Sequence, residues 1–236
     1  MLKKIKQLTK ETAVYGISTI VGRFINFLLV PLYTNVFVNA DFGQYTLIYA
    51  YLSFFNVVFI FGMDAAFLKY SSLAEGGKKK DVFSTAFNFV LLTTTILCGL
   101  LFIFRDNLTS AAQIPLDLSN IVNYVILILF FDTVALIPFA NLRLENKASK
   151  FAFIKLGNII LNLSLNILLI LKLKMGIEAI FISNLAASVF SFIVLIPDIS
   201  KRFNFTLSNK YLKSMLKFAL PYLPGSLAAM MVQIID

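Results

Sequence analysis

Apolar residues run along this chain in long blocks separated by short polar segments. The blocks reach the length of about 20 residues that an α-helix needs to cross a bilayer core. They predict six full spans: Ala13–Val38, Phe42–Ala66, Val82–Phe104, Ser119–Asn141, Phe151–Leu171 and Gly176–Pro197. A seventh begins near Met215 and is still running at Asp236. The fold class this implies is all-α, a polytopic transmembrane helical bundle. Its expected organisation is a six-helix lobe over residues 1–200, an amphipathic linker over 201–214 and the start of helix seven over 215–236. In the segment "SNKYLKSMLKF", Lys210, Lys213 and Lys217 share one helical face and Leu212 and Leu216 another, as in a helix lying on a membrane surface.

Polar residues inside the spans fall at helical spacing. In the first, Thr12, Gly16, Thr19, Arg23 and Asn26 are spaced 4, 3, 4 and 3, which puts them on one face. Tyr33 extends that stripe, and Pro31 frees the carbonyl of Phe27, so a kink is expected there. Tyr49, Ser53, Asn56 and Asp64 share a face of the second span, and Ser84, Asn88, Thr95 and Gly99 a face of the third. The fourth carries Asp132 in mid-span with Pro138 further along, and the fifth has Asn158, Asn162 and Asn166 at strict four-residue spacing.

Each stripe has a bland reading beside a functional one. Asparagine and serine faces commonly join helices by hydrogen bonds, so the Asn158 ladder reads as helix–helix glue or as a polar lining. Asp64 has Lys69 within reach for a structural ion pair. Arg23 is the sharpest case, since a cation at the centre of a spanning helix costs about 2.5–3.5 kcal/mol on the insertion scale. It is either a buried partner of Asp132 or a functional group facing a polar cavity.

Charge then sets the orientation. The chain has 21 Lys and Arg against 12 Asp and Glu, with charged residues only 14% of the total and hydrophobic ones 59%. All but four of the 21 basic residues belong to the N-terminus and alternate loops, Lys155 being counted with the third of these clusters. The exceptions are Arg23 and, in the opposite loops, Arg105, Lys172 and Lys174. By the positive-inside rule the N-terminus is cytoplasmic. The lysines lie between apolar runs, which argues for anionic lipid and against nucleic acid as the surface they face.

Several chemistries are disfavoured. There is no histidine, so histidine acid–base catalysis is excluded. The single cysteine, Cys98, allows neither an intramolecular disulfide nor a cysteine metal cluster. No phosphate-binding or dinucleotide fingerprint occurs, and no external loop is long enough to hold a catalytic domain. The chain is not expected to be an enzyme or to need a cofactor.

Three segments carry a resemblance. "NFLLVPLYTNVFVNADFGQYTLIYAY" resembles the first helix end, external turn and second helix of bacterial polysaccharide-biosynthesis flippases. "FGMDAAFLKYSS" resembles that family's segment closing helix two, with Gly62, Asp64, Ala66, Lys69 and Tyr70 in the corresponding places. "LKFALPYLPGSLAAMMVQIID" resembles its seventh helix, with Leu220, Pro221 and Asp236 matching. The resemblance implies the N-terminal half of a longer protein in the superfamily of multidrug and toxin extruders and lipid II flippases. It also implies a bacterial inner-membrane protein that carries undecaprenyl-pyrophosphate-linked oligosaccharide to the periplasmic leaflet for O-antigen or lipopolysaccharide synthesis. A polysaccharide polymerase and glycosyltransferases are the partners it suggests.

On that resemblance, Arg23, Asn26, Asn56, Asn88, Asp132, Asn158 and Asn162 are the expected substrate-binding residues. Arg23 would meet the pyrophosphate and the amides the sugar hydroxyls. Asp64, Lys69, Pro31 and Pro221 are the expected structural or coupling residues. The rival readings are a cation-coupled multidrug extruder of the same fold, for which Asp132 would serve, a membrane enzyme of glycan assembly, and a non-transporting membrane scaffold.

Overall fold

A computed structural model describes residues 16, 29–31, 33–111, 114–115 and 118–235. Among the described residues there is no strand. The helices that follow the first, partly described span are α1 (Asn39–Ile60), α2 (Met63–Leu73), α3 (Lys78–Ile103) and the short α4 (Arg105–Ala111). Then come α5 (Asn120–Leu144), α6 (Ala148–Ile167, prolonged by a π-helical turn Leu168–Lys172), α7 (Glu178–Arg202), α8 (Asn209–Ala219) and α9 (Tyr222–Ile235).

Five stretches are long and apolar enough to cross a membrane: Asp41–Leu73, Lys78–Ile103, Asn120–Leu144, Ala148–Lys172 and Glu178–Arg202. A sixth is the pair α8–α9, bent by 43°. These match the expected second to seventh spans in number and order. The chain is a multi-pass membrane protein. The largest differences between helix ends and hydropathy blocks are extensions at charged ends. α3 starts at Lys78 rather than Val82, and α7 runs past Pro197 to Arg202. A helix continues through the interface where a hydropathy block stops at the first charges.

α5 is the central helix. It is apolar on every side, as a helix surrounded by others must be, and 72% of its most apolar stretch is buried. It packs against α7, α3 and α2, and α7 packs against α6. Pro138 and Pro197 are accommodated inside α5 and α7 without ending them, as happens where neighbouring groups can satisfy the freed carbonyl.

Two apolar clusters fill the bundle. One, at the basic end, gathers Met63, Phe67, Phe83, Phe87, Ile137, Leu142, Ile154, Leu195, Met215 and Ala219. The other gathers Leu29, Tyr33, Ile48, Leu52, Ile121, Ile128, Leu129, Ile177, Ile180 and Phe181. Along α5 and α7 the residues between the clusters include Asp132, Asn184 and Ser188, so a polar layer separates them.

The second span is not one helix. Phe61 (φ 32°) and Gly62 (φ 73°) are both left-handed and separate α1 from α2. The break packs on the other broken span. A β-carbon built on Gly62 would lie 2.9 Å from the Ala219 carbonyl oxygen and 3.0 Å from Tyr222 Cβ. Leu220 and Pro221 sit at that second break, so Pro221 takes a structural position between α8 and α9. The break falls several residues later than the Met215 start expected for helix seven.

Candidate functional site: a polar pocket between the apolar clusters

A cavity of about 250 Å³ opens between α1, α5, α6 and α7. Its polar lining is Asn56 from α1, Asp132 from α5, Lys155 and Asn158 from α6, and Asn184, Ser188 and Ser191 from α7. Ala135, Leu136 and Phe139 complete the wall. The structure therefore brings together three of the residues expected from sequence, Asn56, Asp132 and Asn158.

Most of the amides are held by neighbours. Asn158 Nδ2 donates to the Ala187 carbonyl at 2.7 Å and to Ser191 Oγ at 2.9 Å, tying α6 to α7. Asn184 Nδ2 donates to the Tyr49 hydroxyl at 3.0 Å and ties α7 to α1. Ser188 stands beside Asp132 in the lining. These bonds fix the lining and orient what is left of its polar surface. Asn158 thus fits the glue reading and the lining reading at once.

Lys155 was counted with the loop cations. The structure corrects this: it lies two turns inside α6 and lines the cavity. Its ammonium sits 4.3 Å from the centroid of the Phe139 ring, a cation–π contact. Asp132 is near enough to act on it electrostatically. Among the described residues, however, the two do not form an ion pair within 4 Å. The pocket thus holds an ammonium and a carboxylate that share a space without being locked together.

Other expected residues lie elsewhere. Asn88 does not reach the cavity. Its Nδ2 donates to the Asn204 carbonyl at 2.8 Å, the Ser84 hydroxyl donates to the Arg202 carbonyl at 2.9 Å, and Ser208 N donates to Thr85 Oγ1 at 3.1 Å. This stripe of α3 satisfies the backbone of the loop between α7 and α8, which would otherwise leave polar groups unpaired against the bundle. Asn162 accepts from Asn166 Nδ2 at 2.6 Å through Oδ1, and Asn166 in turn accepts from the Tyr33 hydroxyl at 3.0 Å. That chain of bonds joins the first span to α6.

Asp64 and Lys69 are not an ion pair among the described residues; Lys69 Nζ lies 3.9 Å from the centroid of Phe218 on α8. Pro31 is helical, and its carbonyl accepts from Asn35 Nδ2 at 2.7 Å. Arg23 and Asn26 lie outside the described residues, as do the kink expected at Phe27 and the Arg23–Asp132 alternative.

The sequence reading missed Lys155, Asn184, Ser188 and Ser191. The signal for the last three was present: they are spaced 4 and 3 along α7, the same one-face pattern read in the other spans. Lys155, Asn158 and Asn162 likewise follow at 3 and 4.

A helical bundle with apolar exteriors and a charged, amide-lined pocket at the joint of its two cores defines a polytopic membrane protein with a polar site inside its membrane-spanning part. A family model described as "Polysaccharide biosynthesis protein" matches residues 36–236, and the chain belongs to that family. Two solved structures share the fold. One is "MATE in complex with Br-NRF", with a TM-score of 0.73 at 17% identity over 97% of this chain and 57% of that one. The other is the Vibrio cholerae MATE transporter VcmN in the bent form, with a TM-score of 0.68 at 12% identity over 98% of this chain and 55% of that one. The chain therefore spans little more than half the length of the solved structures it matches. No curated protein matches it.

Proposed function

We propose that this chain forms one lobe of a flippase for polyprenyl-pyrophosphate-linked oligosaccharide, with its basic end in the cytoplasm. The observation that carries the reading is the pocket: amides and hydroxyls suited to sugar, beside a half-buried ammonium suited to phosphate. Family membership in polysaccharide biosynthesis supports the substrate class. Asn56, Asn158 and Asn184 would meet hydroxyl groups, Lys155 a phosphate oxygen, and Asp132 would balance Lys155 when the pocket is empty. Arg23 keeps the role expected for it from sequence, as a second cation for the pyrophosphate. A facing lobe would supply the other wall, and rocking of the lobes would expose the pocket to each leaflet in turn.

A second reading is favoured by one specific feature. Asp132 is a carboxylate in the cavity of a MATE-like fold, and a cation-coupled multidrug extruder would use it. Lys155 beside it disfavours a cationic drug.

The test is export of lipid-linked oligosaccharide in a strain deleted for the gene and complemented with variants. The reading expects the oligosaccharide to accumulate on the cytoplasmic leaflet in the deletion strain. Lys155→Gln should fail to restore export while still inserting at normal level. Full export by Lys155→Gln, together with drug sensitivity of the Asp132→Asn strain, would favour the extruder instead.

A further inference from the structure

The basic end of the bundle holds a second polar cavity, of about 260 Å³. It is lined by Lys80 from the first turn of α3, by Asn141, Glu145 and Lys147 at the α5–α6 corner, and by Asp198, Lys201 and Arg202 from the end of α7. Its two carboxylates are already engaged. Glu145 pairs with Arg202, accepts from Asn141 Nδ2 at 2.9 Å and pairs with Lys147 Nζ at 2.6 Å. Asp198 pairs with Lys150 and lies 3.8 Å from Lys147 Nζ. These contacts cross-link α5, α6 and α7 and hold Arg202 and Lys147 at the cavity wall.

Lys80 and Lys201 have no acidic partner within 4 Å among the described residues. Four cations therefore line the wall against two carboxylates that are occupied. Topology alone does not require this convergence, because the positive-inside rule would be met by the same lysines anywhere on that surface. Lys80 is also at the end of α3 where the helix dipole disfavours a cation, so its position gains nothing from its own helix.

We propose that this cavity binds a phosphate-bearing anion at the membrane boundary, the headgroup phosphate of an anionic lipid or a pyrophosphate. Arg202 supplies a planar fork held in place by Glu145, and Lys80 and Lys201 supply mobile ammonium groups that can close on phosphate oxygens. Basic pockets between spanning helices on the cytoplasmic side hold lipid headgroups by this chemistry. The inference uses none of the residues of the amide-lined pocket and stands or falls apart from the flippase reading.

The test is equilibrium binding to the purified protein in neutral detergent. The probes are short-chain phosphatidylglycerol, phosphatidylcholine of the same chain length, and inorganic pyrophosphate. The double variant Lys80→Gln/Lys201→Gln is compared with Lys210→Gln/Lys213→Gln, which removes equal charge from α8. The expected result is that phosphatidylglycerol binds and phosphatidylcholine does not, with the cavity variant losing about tenfold or more in affinity, one charge-assisted contact's worth. The α8 variant should be unchanged. If pyrophosphate alone shows this pattern, the site takes a pyrophosphate rather than a lipid headgroup. Equal losses in the two variants, or no binding of either anion, would overturn the proposal and leave only diffuse surface charge. Both substitutions change exposed lysines, so unfolding does not obscure the comparison.

Discussion

Gly62 sits where two broken spans touch, and its replacement by alanine tests whether that contact is as tight as the structure has it. Two costs add. A non-glycine residue in the left-handed region is disfavoured by about 1–2 kcal/mol, and forcing an extra methyl into a packed site adds about 1–3 kcal/mol. Gly62 has φ 73°, and the new methyl would stand 2.9 Å from the Ala219 carbonyl oxygen and 3.0 Å from Tyr222 Cβ. Neither atom is the tip of a flexible side chain, so relief requires α8 or α9 to shift. Gly62→Ala should therefore cost roughly 2–5 kcal/mol. The assay is thermal unfolding in detergent, where a chain of this size loses about 2–4 °C per kcal/mol. Gly99→Ala is the internal control: Gly99 lies inside α3 with nothing within 4 Å of a built β-carbon. It should melt at or slightly above the parent, since alanine is favoured over glycine in a helix by about 0.5–1 kcal/mol. If Gly62→Ala melts with the parent, the two breaks are not in contact and the packing argument is wrong.

Three further outcomes are expected. Asn158→Leu removes both bonds that tie α6 to α7 and should lower the melting point by the equivalent of about 1–2 kcal/mol; an unchanged melting point would mean the bonds are not made. For Glu145, burial would raise the carboxyl, but Lys147, the Asn141 amide and Arg202 together outweigh it and hold the group below its ordinary value of 4.5. A depressed folded-state value means stability that is present above 4.5 and is lost as pH falls through the lower folded value. Acid melting curves should thus be flatter in that window for Glu145→Gln than for the parent. In a background lacking Cys98, single cysteines replacing Lys79 and Lys147 should resist impermeant thiol reagents in intact cells, while those replacing Asp106 and Lys172 should react. The reverse pattern would invert the orientation.

The spans were legible because nothing but length and hydropathy decides whether a segment can cross a bilayer. The breaks were not. "FIFGMDAAF" reads as one apolar run, and the left-handed pair Phe61–Gly62 within it serves a contact with α8 and α9 that no local window contains. The polar stripes were visible, but their partners were not. Asn88 and Asn158 carry the same side chain on similar faces. One secures a loop more than a hundred residues away in sequence, and the other lines a cavity. Spacing gives the face of a helix, and only packing says what that face meets.

Lys155 shows how a sound rule can hide a site. Counted as a loop cation it helped to set the orientation, and removing it leaves the charge asymmetry in place, since Arg143, Lys147 and Lys150 remain in the same cluster. Its real position changes the chemistry of the pocket. A permanent structural ion pair would hold an ammonium at contact distance from its carboxylate, because separating buried opposite charges is costly. Here the ammonium rests against the Phe139 ring, and among the described residues it forms no ion pair with Asp132 within 4 Å. The ammonium is thus held by a weaker partner that a ligand can displace. On the proposed flippase reading, that arrangement suits taking up and releasing an anion better than holding α5 against α6.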